Sequence, residues 1–162
     1  MHNRICKTFS MALKLTSIIV EGFILWERPL LTKVLIIDDD IAMTELMRLM
    51  LNRESFDVIT ASSGEDGIEA VKRHRPDVIV LDLLMPGEDG WHICKKIRKN
   101  SQVPIMILSA LNMPGLATRV FDAGADEFLI KPVSAGVLVA YLRKLTRRAR
   151  AELDALAARS AN

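Results

Sequence analysis

Residues 78–86 read VIVLDLLMP: four aliphatic residues, a lone carboxylate at Asp82, and a loop that opens at Pro86. A short, continuous apolar run of this kind fits a strand covered on both faces. Three other stretches are built alike. Residues 34–40 (VLIIDDD) end in three carboxylates, residues 105–110 (IMILSA) in a hydroxyl, and residues 128–132 (FLIKP) in a lysine followed by proline.

The segments between these runs carry helical signals. After Asp40, which is placed to cap a helix, Met43, Leu46, Met47, Met50 and Leu51 recur at helical spacing. Residues 57–60 read as a short strand. Gly64–His74 reads as a helix with Ile68 and Val71 inward, stopped by Pro76. Pro86, Gly87 and Gly90 mark a loop before a third helix over residues 91–99. A fourth helix is expected from about Pro114 to Asp122, ending at Gly124. Glu127–Ile130 is the last strand, and a long final helix follows Pro132. Strands alternating with helices through short loops form a parallel sheet with helices on both faces. Five such units predict an α/β, flavodoxin-like, doubly wound five-stranded sheet of order 2-1-3-4-5.

At 162 residues the chain suits one domain with some excess, and its 50% hydrophobic, 26% charged composition is globular. A net charge of +2 gives no global reason to expect nucleic acid. Arg143, Lys144, Arg147, Arg148 and Arg150 crowd one stretch, which reads as a solvated helix face. Cys6 and Cys94 are far apart without a nearby partner, as in a reduced protein without a disulfide framework. His74 and His92 lack ligand partners at metal spacing and read as surface residues; Cys94 reads as packing.

Residues 1–31 form an extension whose order the sequence leaves open. Residues 15–26 (LTSIIVEGFILW) are apolar apart from Glu21, and Lys7 and Lys14 precede them. The run falls short of the ~20 apolar residues of a spanning helix, and no small-x-small cleavage site follows. No membrane insertion is expected. An extension, a helix packed on the domain, or upstream sequence ahead of Met11 all fit.

In a doubly wound sheet, ligands sit outside the carboxyl ends of the strands, where strand order reverses. That point lies between the first and third strands, which end in Asp38, Asp39, Asp40 and Asp82. Carboxylates converging there repel one another unless a cation neutralises them, and a hard divalent ion such as Mg²⁺ suits oxygen ligands. An Asp can attack phosphorus to form an acyl phosphate. Lys131 supplies a point charge for one phosphoryl oxygen and Ser109 a hydrogen-bond donor for another, with Ala110 leaving room beside it.

The set Asp38-Asp39, Asp82 with Met85-Pro86 and Gly90, Ser109-Ala110, and Gly124-Ala125-Asp126 running to Lys131-Pro132 resembles the receiver domain of bacterial response regulators. The likeness covers about residues 32–147, leaving 148–162 as a C-terminal helical extension. It implies that a histidine kinase or phosphotransfer protein donates a phosphoryl group to Asp82. It implies Mg²⁺ bound by Asp38, Asp39, Asp82 and the Leu84 carbonyl. Ser109 and Lys131 would contact the phosphoryl group, and Ser109 with Phe128 would form the switch. It also implies a cytoplasmic signalling module rather than an enzyme, acting through a downstream protein partner. Few residues follow Arg150, so a stand-alone receiver is expected, with a receiver separated from its output domain, residues 143–159 being the former linker, as the alternative. A phosphorylation-dependent homodimer is compatible with it; DNA binding is not expected.

Two departures from that family's pattern bear on behaviour. Leu84 and Leu111, two residues beyond Asp82 and Ser109, are apolar where side chains influence phosphoryl hydrolysis, which predicts slow self-dephosphorylation. Pro114 and Gly115 enter the fourth helix, weakening its start. A reading from another class is available, since Asp38-x-Asp40 also resembles the nucleophile motif of haloacid-dehalogenase-like phosphatases. It is disfavoured: Ala42 stands where that motif wants Thr or Val, and no acidic pair follows Lys131.

Overall fold

The structure is a computed structural model that describes residues 19–20, 23–24 and 31–160. The chain divides into two compact units, Met1–Leu30 and Leu31–Asn162. In the first, Ile19–Val20 pairs antiparallel with Phe23–Ile24. The apolar run over residues 15–26 otherwise lies outside the described residues. No helix among the described residues is long and apolar enough to cross a membrane.

The second unit holds five parallel strands: β1 (Thr32–Ile37), β2 (Phe56–Ala61), β3 (Val78–Leu81), β4 (Ile105–Ser109) and β5 (Glu127–Ile130), in the order β2-β1-β3-β4-β5. This is the order expected from the sequence. Helices α1 (Ile41–Arg53), α2 (Gly64–His74), α3 (Gly90–Arg98), α4 (Leu116–Asp122) and α5 (Ala135–Ser160) make the connections and the final layer.

Alternation along the strands divides the core in two. Leu35, Ile37, Ile79, Leu81, Ile105 and Ile107 face α2, α3 and α4 through Ile93, Ile97, Leu116 and Val120. Val34, Ile36, Val78, Val80, Met106 and Leu108 face α1 and α5 through Met47, Leu51, Leu138, Leu142 and Leu145. Central strands buried on both faces explain why the sequence runs were continuous rather than alternating.

Several boundaries and faces differ from the sequence reading. In α1, Met47 and Leu51 are buried with Thr44, but Leu46 is exposed. At about 100° per residue it lies a quarter-turn round from Met47. Helix α4 starts at Leu116, not Pro114, because Gly115 takes a left-handed conformation at the N-cap and offers no capping side chain. Residues 86–89 are not open loop. Leu84–Met85 pairs antiparallel with Glu88–Asp89 across a Pro86-Gly87 turn, with Gly87 at φ +76°. The final helix runs unbroken through residues 147 and 148 to Ser160.

Candidate functional site

Each side chain of the site sits at a strand end because the buried strand stops there. Asp38 follows β1, its N–H bonded to the Ala61 carbonyl (3.1 Å), and Asp82 follows β3, its N–H bonded to the Ile37 carbonyl (2.9 Å). These ladder bonds extend the sheet by one residue and set the two carboxylates side by side. Asp38 and Asp82 are buried, at 3% and 8% exposure. Ligand oxygens of Asp38, Asp39 and Asp82 all lie within 4.8 Å of one another. Asp40 is turned away: its carboxylate accepts from the Met43 N–H (2.9 Å) and caps α1, while its own N–H bonds Asp38 Oδ1 (2.9 Å).

Lys131 reaches in from the end of β5. Its Nζ donates to Asp38 Oδ2 (2.8 Å) and to Asp82 Oδ2 (3.2 Å). Its backbone N–H donates to the Ser109 carbonyl (2.8 Å), tying the ends of β4 and β5. The Lys131–Pro132 peptide bond is cis. Asp82 Oδ1 accepts from the Leu83 N–H (2.7 Å) and, more distantly, from the Leu84 N–H (3.4 Å).

Burial pushes the Asp82 carboxyl above its ordinary value; Lys131 opposes this and Asp38 reinforces it. For Lys131, burial favours the neutral amine. The hydrogen bond to Asp38 and the charges of Asp38 and Asp82 outweigh that, so its value is raised and it stays an ammonium. One ammonium thus contacts two of three crowded carboxylates. The remaining negative charge and the all-oxygen donor set suit a hard divalent cation, and the residues present fit Mg²⁺.

Ser109 is fully buried at the end of β4, and its Oγ accepts from the Leu111 N–H (3.2 Å). Among the described residues this hydroxyl bonds neither the Asp82 carboxylate nor Lys131 Nζ. Phe128 is half-buried and packs on the α2–α3–α4 side of the core, as does Leu111. The Leu84 side chain is exposed. His74 and His92 are exposed and Cys94 is buried, as the sequence reading placed them.

Supporting residues escaped that reading. Arg98 donates to the carbonyls of Gly124 (2.6 Å) and Val103 (2.6 Å) and to Asp126 Oδ2 (2.6 Å). Asp126 Oδ2 also accepts from the Ile105 N–H (2.9 Å), so the Gly124-Ala125-Asp126 run anchors the starts of β4 and β5. A side-chain fork bonding distant carbonyls has no local sequence pattern. Trp91 also has a partner, the Arg119 guanidinium lying 4.5 Å from its ring centroid.

The family model described as response regulator receiver domain matches residues 34–143. The transcriptional regulatory protein AfsQ1 of Streptomyces coelicolor is 41% identical over 119 residues, 74% of this chain and 53% of that protein. The chain spans about half the length of the curated relatives it matches. Among solved structures, the receiver domain of the Francisella response regulator 1452 aligns with a TM-score of 0.69 at 31% identity, covering 73% of this chain and 98% of that one. The Vibrio cholerae chemotaxis protein CheY4 aligns with a TM-score of 0.68 at 28% identity, covering 71% and 98%.

Proposed function

The chain belongs to the response regulator receiver domain family, and from that premise we propose that Asp82 accepts a phosphoryl group from a histidine kinase or phosphotransfer protein. The observation that carries this reading is the buried pair Asp38 and Asp82 bridged by Lys131 Nζ, with Asp39 alongside. An Asp82 carboxylate oxygen attacks the phosphorus of a phosphohistidine. A P–O bond forms, the P–N bond breaks, and the imidazole nitrogen leaves with the electron pair.

Asp38, Asp39, Asp82 and the Leu84 carbonyl would hold Mg²⁺. Bound there, Mg²⁺ supplies positive charge against the phosphoryl oxygens. Lys131 leaves Asp82 for a phosphoryl oxygen, keeping Asp38 as its other partner. Ser109 gives up its bond from Leu111 to donate to a second oxygen, and Phe128 repacks as it moves. Residues 32–147 are the receiver, 148–162 its C-terminal helical extension, and 1–31 an N-terminal extension. The domain signals through contacts with a downstream protein in the cytoplasm, without catalysing turnover of a free substrate.

Intact mass after incubation with acetyl phosphate and Mg²⁺ tests the reading. One phosphoryl adduct is expected, absent in Asp82→Asn and after chelation. An adduct that survives in Asp82→Asn moves the nucleophile to Asp38 or Asp39; none in wild type removes phosphotransfer altogether.

Relatives named as transcriptional regulators, AfsQ1 among them, support a second reading in which the receiver's signal reaches DNA through an effector module. A phosphorylation-dependent gel shift by this chain would favour it; none favours signalling by protein contacts.

A further inference from the structure

Helix α5 is 26 residues, about 39 Å, and only its first half packs on the domain. Leu142 and Leu145 are buried against the sheet. Ala149 is half-buried, and residues 151–159 are exposed. Leu142, Leu145, Ala149, Leu153 and Leu156 follow at steps of three and four, which at about 100° per residue keeps them within a stripe about 80° wide. The stripe that packs on the sheet therefore continues beyond it, and there Leu153 and Leu156 stand 66% and 61% exposed. A helix with bare leucines on a single face gains little stability alone and is completed by a second apolar face.

We infer that this face is covered by the same face of a second copy, with the two α5 extensions antiparallel and Leu153 of one copy against Leu156 of the other. The orientation follows from the stripe. Above Ala149 it is covered by the chain's own sheet, so a parallel partner's α5 would have to run through space that the domain occupies. Antiparallel, only the two extensions overlap, and each domain lies at the opposite end. With Leu153 facing Leu156, Glu152 of one copy comes opposite Arg159 of the other on the flank of the seam, twice by symmetry. In the single copy Glu152 accepts from Arg148 Nε (2.8 Å), one turn earlier on the same helix. Parallel alignment pairs Glu152 with no cation at that flank. The overlap is short, so the dimer is weak and transient by interface size. It requires no phosphorylation and stands apart from the assignment of Asp82.

The test uses the full chain with Cys6→Ser, so that introduced thiols dominate (Cys94 is buried). Leu153→Cys and Leu156→Cys proteins are oxidised separately and mixed, at up to about 1 mM, where a dissociation constant of that order half-populates the dimer. The mixture should form the 153–156 disulfide at least several-fold faster than either variant links to itself. Sedimentation over the same range should show a monomer–dimer equilibrium that Leu153→Glu abolishes. E152R and R159E should each weaken the dimer about 2–5-fold, as expected of a rim pair, and the double reversal should restore it. Self-linking by each variant as fast as in the mixture would overturn the antiparallel register. A strict monomer at the top concentration, or no effect of Leu153→Glu, would overturn the interface.

Discussion

Gly90 lies against the acceptor turn so closely that a Cβ added there would stand 2.6 Å from the Asp82 carbonyl oxygen and 2.7 Å from Leu83 Cα. Both are backbone atoms, which cannot swing aside as a side-chain tip can. The start of α3 and the turn that presents Asp82 are thus fixed against each other, with the Gly90 N–H bonded to the Leu83 carbonyl (3.3 Å).

Replacing Gly90 with Ala should therefore displace the acceptor turn. The expected cost is about 1–3 kcal/mol, typical of overpacking, together with slower labelling of Asp82 by acetyl phosphate. Urea unfolding and a mass-resolved time course measure the two. A variant with wild-type stability and labelling rate would show that the contact is relieved elsewhere.

Asp82 is a cost to the metal-free fold. Its folded carboxyl is raised above the ordinary 3.8, so between that value and the folded one the native state binds more protons than the unfolded chain. Its contribution to stability therefore falls as pH rises through that window, is fully unfavourable at neutral pH, and vanishes below 3.8. Without metal, Asp82→Asn should be more stable than wild type at pH 7 by on the order of 1 kcal/mol, and the gap should close towards the acid end. Mg²⁺ should raise the wild-type Tm by mass action and the variant's less. A less stable Asp82→Asn at neutral pH would contradict this balance.

The phosphorylated domain should lose its phosphoryl group slowly. Leu84 is exposed and Leu111 half-buried, and neither side chain can orient an attacking water. Leu84→Asn should accelerate hydrolysis on the order of 10-fold, below the ~100-fold that a positioned general base contributes. Loss of the intact-mass adduct with time after desalting measures both proteins. Rapid loss from wild type would count against the argument.

Arg98 and Asp126 should behave as one unit. Their ion pair (2.6 Å) is partly buried, and each also holds backbone groups at the starts of β4 and β5. Asp126→Asn should cost about 1–3 kcal/mol, the range for stranding a partner that must stay bonded. A double-mutant cycle with Arg98→Met should show coupling of at least about 0.5 kcal/mol. Strict additivity would deny the linkage.

Strand order and the meeting of Asp38, Asp39 and Asp82 were legible because buried parallel strands write themselves as continuous aliphatic runs, and because polar residues at their ends must share one edge. Asp40 as a cap was legible for a local reason, its reach to the Met43 N–H. Leu46 misled because spacing alone does not centre a helix face: Thr44, polar yet buried, belongs to it. The Pro86-Gly87 turn carried its signal in the dipeptide, but a ladder of two residues is too short to register as strands. Arg98 was illegible because its partners lie up to 28 residues away. Neither the bond from Leu111 to the Ser109 hydroxyl nor the stacking of Arg119 on Trp91 leaves a periodic trace.

The division of the core into two clusters has an evolutionary consequence. A change of volume at Leu142 or Met47 is felt among the residues of its own face, and one at Ile93 or Val120 among those of the other, with the sheet standing between them. Compensating substitutions should therefore arise within a face rather than across it. A lineage could remodel the α1–α5 layer while the α2–α3–α4 layer, on which Phe128 rests, passes unchanged to its descendants.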